Sequence, residues 1–310
     1  MVVGGSGTVP RVWGREIRAD VTGGILSGID FGGEGPGVLL VHGTGHNCAA
    51  WADVASHLGT HCHAVAFDLR GHGYSEAGSR TAEQYWRDLA DVAASLGWER
   101  PILVGHSTGG YAVSAATAAG IVTPAAIAVI DGVVLEDRAT AIHDNAHWHE
   151  PEAAQRLREI YRYGWRVDRH DMLDYVEQCA RETDTDGFNA GARPELMRQV
   201  IRRCFTSCAD GQYLRRPTVE EITMTTAADP DAVVYPSVDV YERIECPMTI
   251  VLPSDGFYAR RADEVRSVVQ SSQGRRLIEI DAGHNVPMTR PAELATIIID
   301  LVRQTHTDVE

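Results

Sequence analysis

The chain lacks lysine altogether. All 28 of its basic side chains are arginine, so no chemistry that needs a lysine amine, a Schiff base for instance, is open to it. Positive charge is also in short supply overall, because 43 acids against those 28 bases leave a formal net charge of −15. A phosphate backbone or an anionic membrane surface would be repelled, which excludes nucleic acid as an expected partner and disfavours membrane binding. No apolar run approaches the length of a membrane span, and the start, M-V-V-G-G-S-G-T-V-P, has no basic region followed by an apolar stretch. These absences predict a soluble, cytoplasmic protein. The six cysteines are too few and too scattered along 310 residues for a disulfide scaffold. They read as reduced thiols, and Cys204 and Cys208, although four residues apart, have no neighbours that would complete a zinc site.

At 44% hydrophobic and 23% charged, the composition is that of an ordinary globular chain. The rhythm of the sequence gives the class. After two turn-punctuated segments that suggest an antiparallel pair (9–18 and 21–29), short apolar runs recur at 38–41, 64–67, 102–104, 126–130, 249–252 and 277–280. Helical stretches alternate with them at 49–58, 82–96, 108–119, 260–271 and 291–303. Short apolar runs alternating with amphipathic helices indicate a mostly parallel sheet, buried on both faces by crossover helices. The glycine-rich start is expected to be poorly ordered. Between 136 and 235 the strand runs stop and Arg, Tyr, Trp and acids appear at helical spacing. This predicts a helical lid, residues 136–235, inserted into an α/β core made of 1–135 and 236–310. Its aromatic residues are expected chiefly in the lid's own core.

The chemistry concentrates at G-H-S-T-G-G, residues 105–110, placed directly after one apolar run and before a small-residue helix. Gly105 and Gly109 flank Ser107 at two residues on either side, removing β-carbons from a turn tight enough to strain the serine backbone. The helix that follows aims its amino end at the serine, so the amide of Thr108 is placed to donate to an oxyanion. V-L-L-V-H-G-T-G at 38–45 places a second loop after a buried strand, one of whose amides could serve as the other donor. Asp131 in V-I-D-G-V and Asp255 in L-P-S-D-G-F-Y are both carboxylates at strand ends. H-D-x-x-H-x-H at 143–149 does not have the spacing of a helix-borne metal pair with its base, so no metal is expected there.

With H-G-T-G, D-L-R-G-H-G-Y-S at 68–75, the elbow, and D-A-G-H-N-V-P at 281–287 in that order, the chain resembles an α/β-hydrolase of the serine esterase/lipase-like branch over nearly its whole core. The resemblance implies an eight-stranded, mostly parallel sheet with a helical lid after strand 6. It further implies Ser107 as nucleophile, His284 as general base, and the amides of Thr44 and Thr108 as the oxyanion hole, with no cofactor. It places the triad acid in the loop after the seventh strand, hence Asp255, with Asp131 as the rival. The implied substrate is a small-molecule carboxylic ester, with monoalkyl esters of aromatic diacids such as phthalate among the candidates. A carbon–carbon bond hydrolase of ring-cleavage products and a non-catalytic ligand receptor are the alternatives on the same fold. Dehalogenases and epoxide hydrolases of this fold need an aspartate at the elbow, and its hydroxynitrile lyases need a lysine. The sequence is compatible with a homo-oligomer and leaves the state of assembly open.

Overall fold

The computed structural model describes residues 14–185 and 187–307. The glycine-rich start lies outside the described residues. The chain opens with β1 (Arg15–Val21) and β2 (Gly24–Gly32), an antiparallel hairpin. It continues through β3 (Gly37–Val41), α1 (Ala52–Leu58), β4 (His63–Phe67), α2 (Gln84–Ser95), β5 (Ile102–His106), α3 (Thr108–Ala118) and β6 (Ala126–Ile130). An intervening segment then runs through α4 (Arg138–Ala146), α5 (Pro151–Tyr161), β7 (Arg166–Val167), α6 (Arg169–Arg181), α7 (Pro194–Arg203), β8 (Phe205–Ser207), β9 (Tyr213–Arg215) and α8 (Val219–Thr226). The core resumes with β10 (Met248–Asp255), α9 (Ala262–Gln270), β11 (Arg275–Gly283), α10 (Val286–Thr289) and α11 (Pro291–Thr307).

Eight strands form one sheet in the order β1-β2-β4-β3-β5-β6-β10-β11. From β4 onward every neighbouring pair is parallel. Alternate residues of each strand feed two cores. Val38, Leu40, Ile102, Val104 and Ile130 face α1 and α11, whereas Leu39, Val41, Leu103, Ile127 and Val129 face α2, α3 and α9. Burial on both faces is why β5 and β6 read as unbroken apolar runs rather than alternating ones.

This strand order also positions the site. The chain goes from β3 to β4 on one side and returns across β3 to β5 on the other, so the loops after β3 and β5 leave the sheet as neighbours. A crevice at the carboxyl ends of the strands is the expected ligand position at such a reversal. Val41 pairs with Gly105, Ile130 with Val251, and Asp255 with Gly283. The ends of β6, β10 and β11 therefore stand side by side.

The intervening segment is not purely helical. β7, β9 and β8 form a small antiparallel sheet in that order. Strands of two or three residues are too short for periodicity to reveal. The segment joins the main core through Ala180, Leu196, Met197 and Val200, which pack in one cluster with Trp51. Its aromatic residues divide. Tyr163 and Phe205 are buried and Trp165 and Tyr175 pack against the segment's own core, as expected, while Trp148, Tyr161 and Phe188 are exposed.

Candidate active site

Ser107 sits between β5 and α3 with φ 53° and ψ −124°. The left-handed region is costly for a residue with a β-carbon, and the surroundings hold it there. Its amide donates to Ile130 O at 2.9 Å, and Gly110 N donates to Ser107 O at 2.7 Å. A β-carbon at Gly105 would meet Gly109 O at 2.0 Å, one at Gly109 would meet Val41 O at 2.3 Å, and one at Gly132 would meet Ser107 O at 2.2 Å. Three backbones thus converge more closely than any side chain permits, and the serine is left projecting.

The loop after β3 closes on the elbow. A β-carbon at Gly43 would lie 2.7 Å from Ser107 Cβ, and the hydroxyls of Thr44 and Thr108 hydrogen-bond at 2.7 Å. That bond ties together the two residues whose amides are the candidate oxyanion donors. Thr108 opens α3, so its amide has no helical acceptor. His42 fastens the loop from beneath: its Nδ1–H donates to Gly43 O at 2.8 Å and its Nε2 accepts from Leu69 N at 2.9 Å. Burial, with His72 close by, holds His42 well below the ordinary imidazole value, consistent with this neutral tautomer.

His284 follows β11 and is buried beside the elbow. His106, the residue before Ser107, donates from Nε2 to His284 O at 2.9 Å, and the two rings lie 4.6 Å apart. Burial and the neighbouring His284 and His46 hold His106 neutral. The partner of His284 is Asp131, whose Oδ2 accepts from His284 Nδ1 at 2.6 Å. This corrects the expectation of Asp255. Asp255 is exposed at the end of β10, whereas Asp131 is 2% exposed at the end of β6, with φ 43°. The β10 loop supplies donors in place of an acid: Phe257 N at 2.9 Å and Tyr258 N at 3.4 Å both point to the Asp131 carboxylate. Gly256 makes this approach possible, since a β-carbon there would stand 2.5 Å from Asp131 Oδ2.

A strained serine, a histidine paired with a buried aspartate and a loop tied to the turn of that serine, all at the strand ends of a doubly wound sheet, accompany a match of residues 38–297 to the model of the alpha/beta hydrolase family. The chain belongs to that family. As an alpha/beta hydrolase it is 33% identical over 177 residues to protein phosphatase methylesterase 1 of Mus musculus, covering 50% of this chain and 45% of the mouse protein. It is 31% identical over 199 residues to a fluoroacetate dehalogenase of a Burkholderia species, covering 60% of this chain and 64% of that protein. The chain therefore spans less than half the length of the methylesterase it matches. Among solved structures, E-2-(acetamidomethylene)succinate hydrolase superposes with TM-score 0.71 at 18% identity, over 94% of this chain and 99% of that one. The enol-lactonase of Burkholderia xenovorans LB400 superposes with TM-score 0.63 at 20% identity, over 93% and 100%. At these identities the likeness speaks for the fold alone.

Two features of this hydrolase's site gave no signal in the sequence. Phe257 stacks face to face on His284, with centroids 3.9 Å apart and planes at 24°, and Phe188 meets Phe257 edge-on at 5.5 Å. Within the 68–75 motif, Asp68 accepts from Cys48 N and Tyr74 N, both at 2.8 Å, and Arg70 pairs with Asp88 inside the fold. His147 of the 143–149 motif contacts Glu150 and Arg156. Among the described residues no three metal-ligating side chains converge, and no helix is long and apolar enough to cross a membrane.

Proposed function

We propose that this alpha/beta hydrolase cleaves a carboxylic ester by way of an acyl-enzyme, with Ser107 as nucleophile, His284 as general base and Asp131 as the acid of the triad. The observation that carries the reading is the bond from His284 Nδ1 to Asp131. An imidazole that donates from Nδ1 keeps its Nε2 lone pair for the serine proton. Ser107 Oγ attacks the acyl carbon while His284 takes its proton. The amides of Thr44 and Thr108 receive the developing oxyanion, a role in which a single donor contributes about 3 kcal/mol to the barrier. The tetrahedral intermediate collapses as His284 returns the proton to the leaving alcohol. Water, deprotonated by the same nitrogen, then releases the acid and regenerates the serine. The methylesterase relatives favour an ester substrate. Ser107, in place of an elbow aspartate, speaks against the dehalogenase chemistry of the other relative. Within the ester class, the arginines of the intervening segment favour a substrate carrying a second, free carboxylate, such as a monoalkyl ester of phthalate.

The test is hydrolysis of a p-nitrophenyl ester series by the native chain and by Ser107→Ala, with intact mass recorded during turnover. Multiple turnover that vanishes in the variant, with an acyl mass on the native chain, is the expected result. Equal rates in both proteins, or no turnover with any ester, would overturn the reading.

A further inference from the structure

Several arginines of the intervening segment have no carboxylate partner among the described residues, in a protein whose acids outnumber its bases, and two of them, Arg162 and Arg215, share one aromatic ring. Their sequence neighbours are paired: Arg158 with Glu220, Arg166 with Asp210, and Arg216 with Glu221. Arg162 and Arg215 instead stand on one aromatic ring, with guanidinium carbons 4.8 Å and 5.0 Å from the centroid of Tyr175. Arg215 also faces the ring of Phe205 at 6.0 Å. Among the described residues neither arginine forms an ion pair.

Arg215 is 6% exposed, and its Nε and Nη1 are buried with no hydrogen-bond partner. Ring faces offset part of the cost of burying a guanidinium, but they accept none of its in-plane N–H bonds. A buried, unsatisfied cation is a large penalty for a fold to carry unless an anion completes it. Arg162, exposed and over the same Tyr175 ring, adds a second positive charge beside it.

The position is next to the candidate chemistry. Tyr163 and Cys204 both lie within the electrostatic reach of Arg215. Both touch Gly45 of the oxyanion loop: the Tyr163 hydroxyl occupies the space a β-carbon at Gly45 would need, 2.1 Å from it, and Cys204 Sγ contacts Gly45 O at 3.6 Å. Gly45 adjoins Thr44, which is bonded to Thr108 beside the nucleophile. Arg215 is thus joined to the oxyanion loop through its neighbours, since Gly164 N donates to Arg215 O at 3.1 Å and Arg216 N to Cys204 O at 2.7 Å.

We propose that Arg215, with Arg162 at the rim, binds the free carboxylate of a dicarboxylic acid monoester whose ester carbonyl lies at Ser107. This deepens the ester-hydrolase reading and rests on it. The planar guanidinium edge would take the carboxylate through parallel N–H bonds, with the stem of the substrate passing the edge of Tyr175.

The probe is a matched pair, mono-4-nitrophenyl glutarate and its methyl ester, which differ in the remote charge. The ratio of their kcat/KM values is the readout. The native enzyme is expected to favour the free acid by about 100-fold, in line with a charge-assisted bidentate contact. Arg215→Met is expected to cut that ratio about 30-fold and Arg162→Gln about 5-fold, with glutarate losing potency as a competitive inhibitor in the same order. A native ratio near one overturns the proposal, as does a ratio that both variants leave intact. Should Arg215→Met fail to fold, Arg162→Gln alone decides by its ratio. Ser107→Ala on the methyl ester separates the two levels. If native turnover of that ester depends on Ser107 while the ratio is one, the carboxylate subsite fails and the ester hydrolase stands.

Discussion

The loops after β6 and β10 each carry a carboxylate at the end of a parallel strand, and the two strands are neighbours in register. Their fates are opposite. Asp131 is buried and receives an imidazole N–H and two backbone amides, whereas Asp255 is exposed and the loop around it supplies those amides. What selects the partner of His284 is the convergence of donors on one carboxylate beside it. Position along the chain does not, because either aspartate satisfies the order serine, acid, histidine.

The most severe way to break the site is Ser107→Ala, expected to lower kcat on the order of 10⁶-fold if the triad acts as a unit. Asp131→Asn leaves the shape and removes the charge, and should lower kcat about 10⁴-fold, while Asp255→Asn should leave it within about twofold. If the two asparagine variants exchange places, the assignment of the acid is wrong. Gly256→Ala sharpens the comparison further, since the added methyl pushes on the Asp131 carboxylate from the donor loop; about a hundredfold loss in kcat with little change in KM is expected. The mildest test is acid: with His42, His72 and His106 held below the ordinary imidazole value by burial, the melting temperature should fall below pH 6.5, and one that stays constant from pH 7 to 5 would count against these three.

Much of this was readable from residues alone. The elbow was legible because glycine spacing, the strand before and the helix after it all point to one strained turn. The apolar runs of β3 to β6 fell within a residue or two of the observed strands because burial on both faces leaves no polar interruption. The acid was not legible, since the donors that decide between Asp131 and Asp255 are backbone amides of Phe257 and Tyr258, which carry no sequence signature. The stack of Phe257 on His284 was hidden for a similar reason: it joins two loops that meet only once β10 and β11 are paired. In the intervening segment, helices showed through their periodicity, but β7 to β9 are each shorter than two full periods of a strand. Arg215 was one arginine among the twelve between 152 and 216, set apart by burial with Nε and Nη1 unpartnered, which nothing in the sequence signals.

Three imidazoles beneath the site, His42, His72 and His106, are held below the ordinary value of 6.5, in each case chiefly by burial. In the unfolded chain each would take up a proton near pH 6.5, and in the folded chain it resists doing so. The unfolded state therefore binds more protons as the solution is acidified. The stability these residues confer is complete above pH 6.5 and drains away below it, by up to about 1.4 kcal/mol per histidine for each pH unit, or roughly 4 kcal/mol for the three together. Acid should therefore weaken the fold around the site, so melting temperature has to be followed alongside rate when activity is measured below pH 6.5.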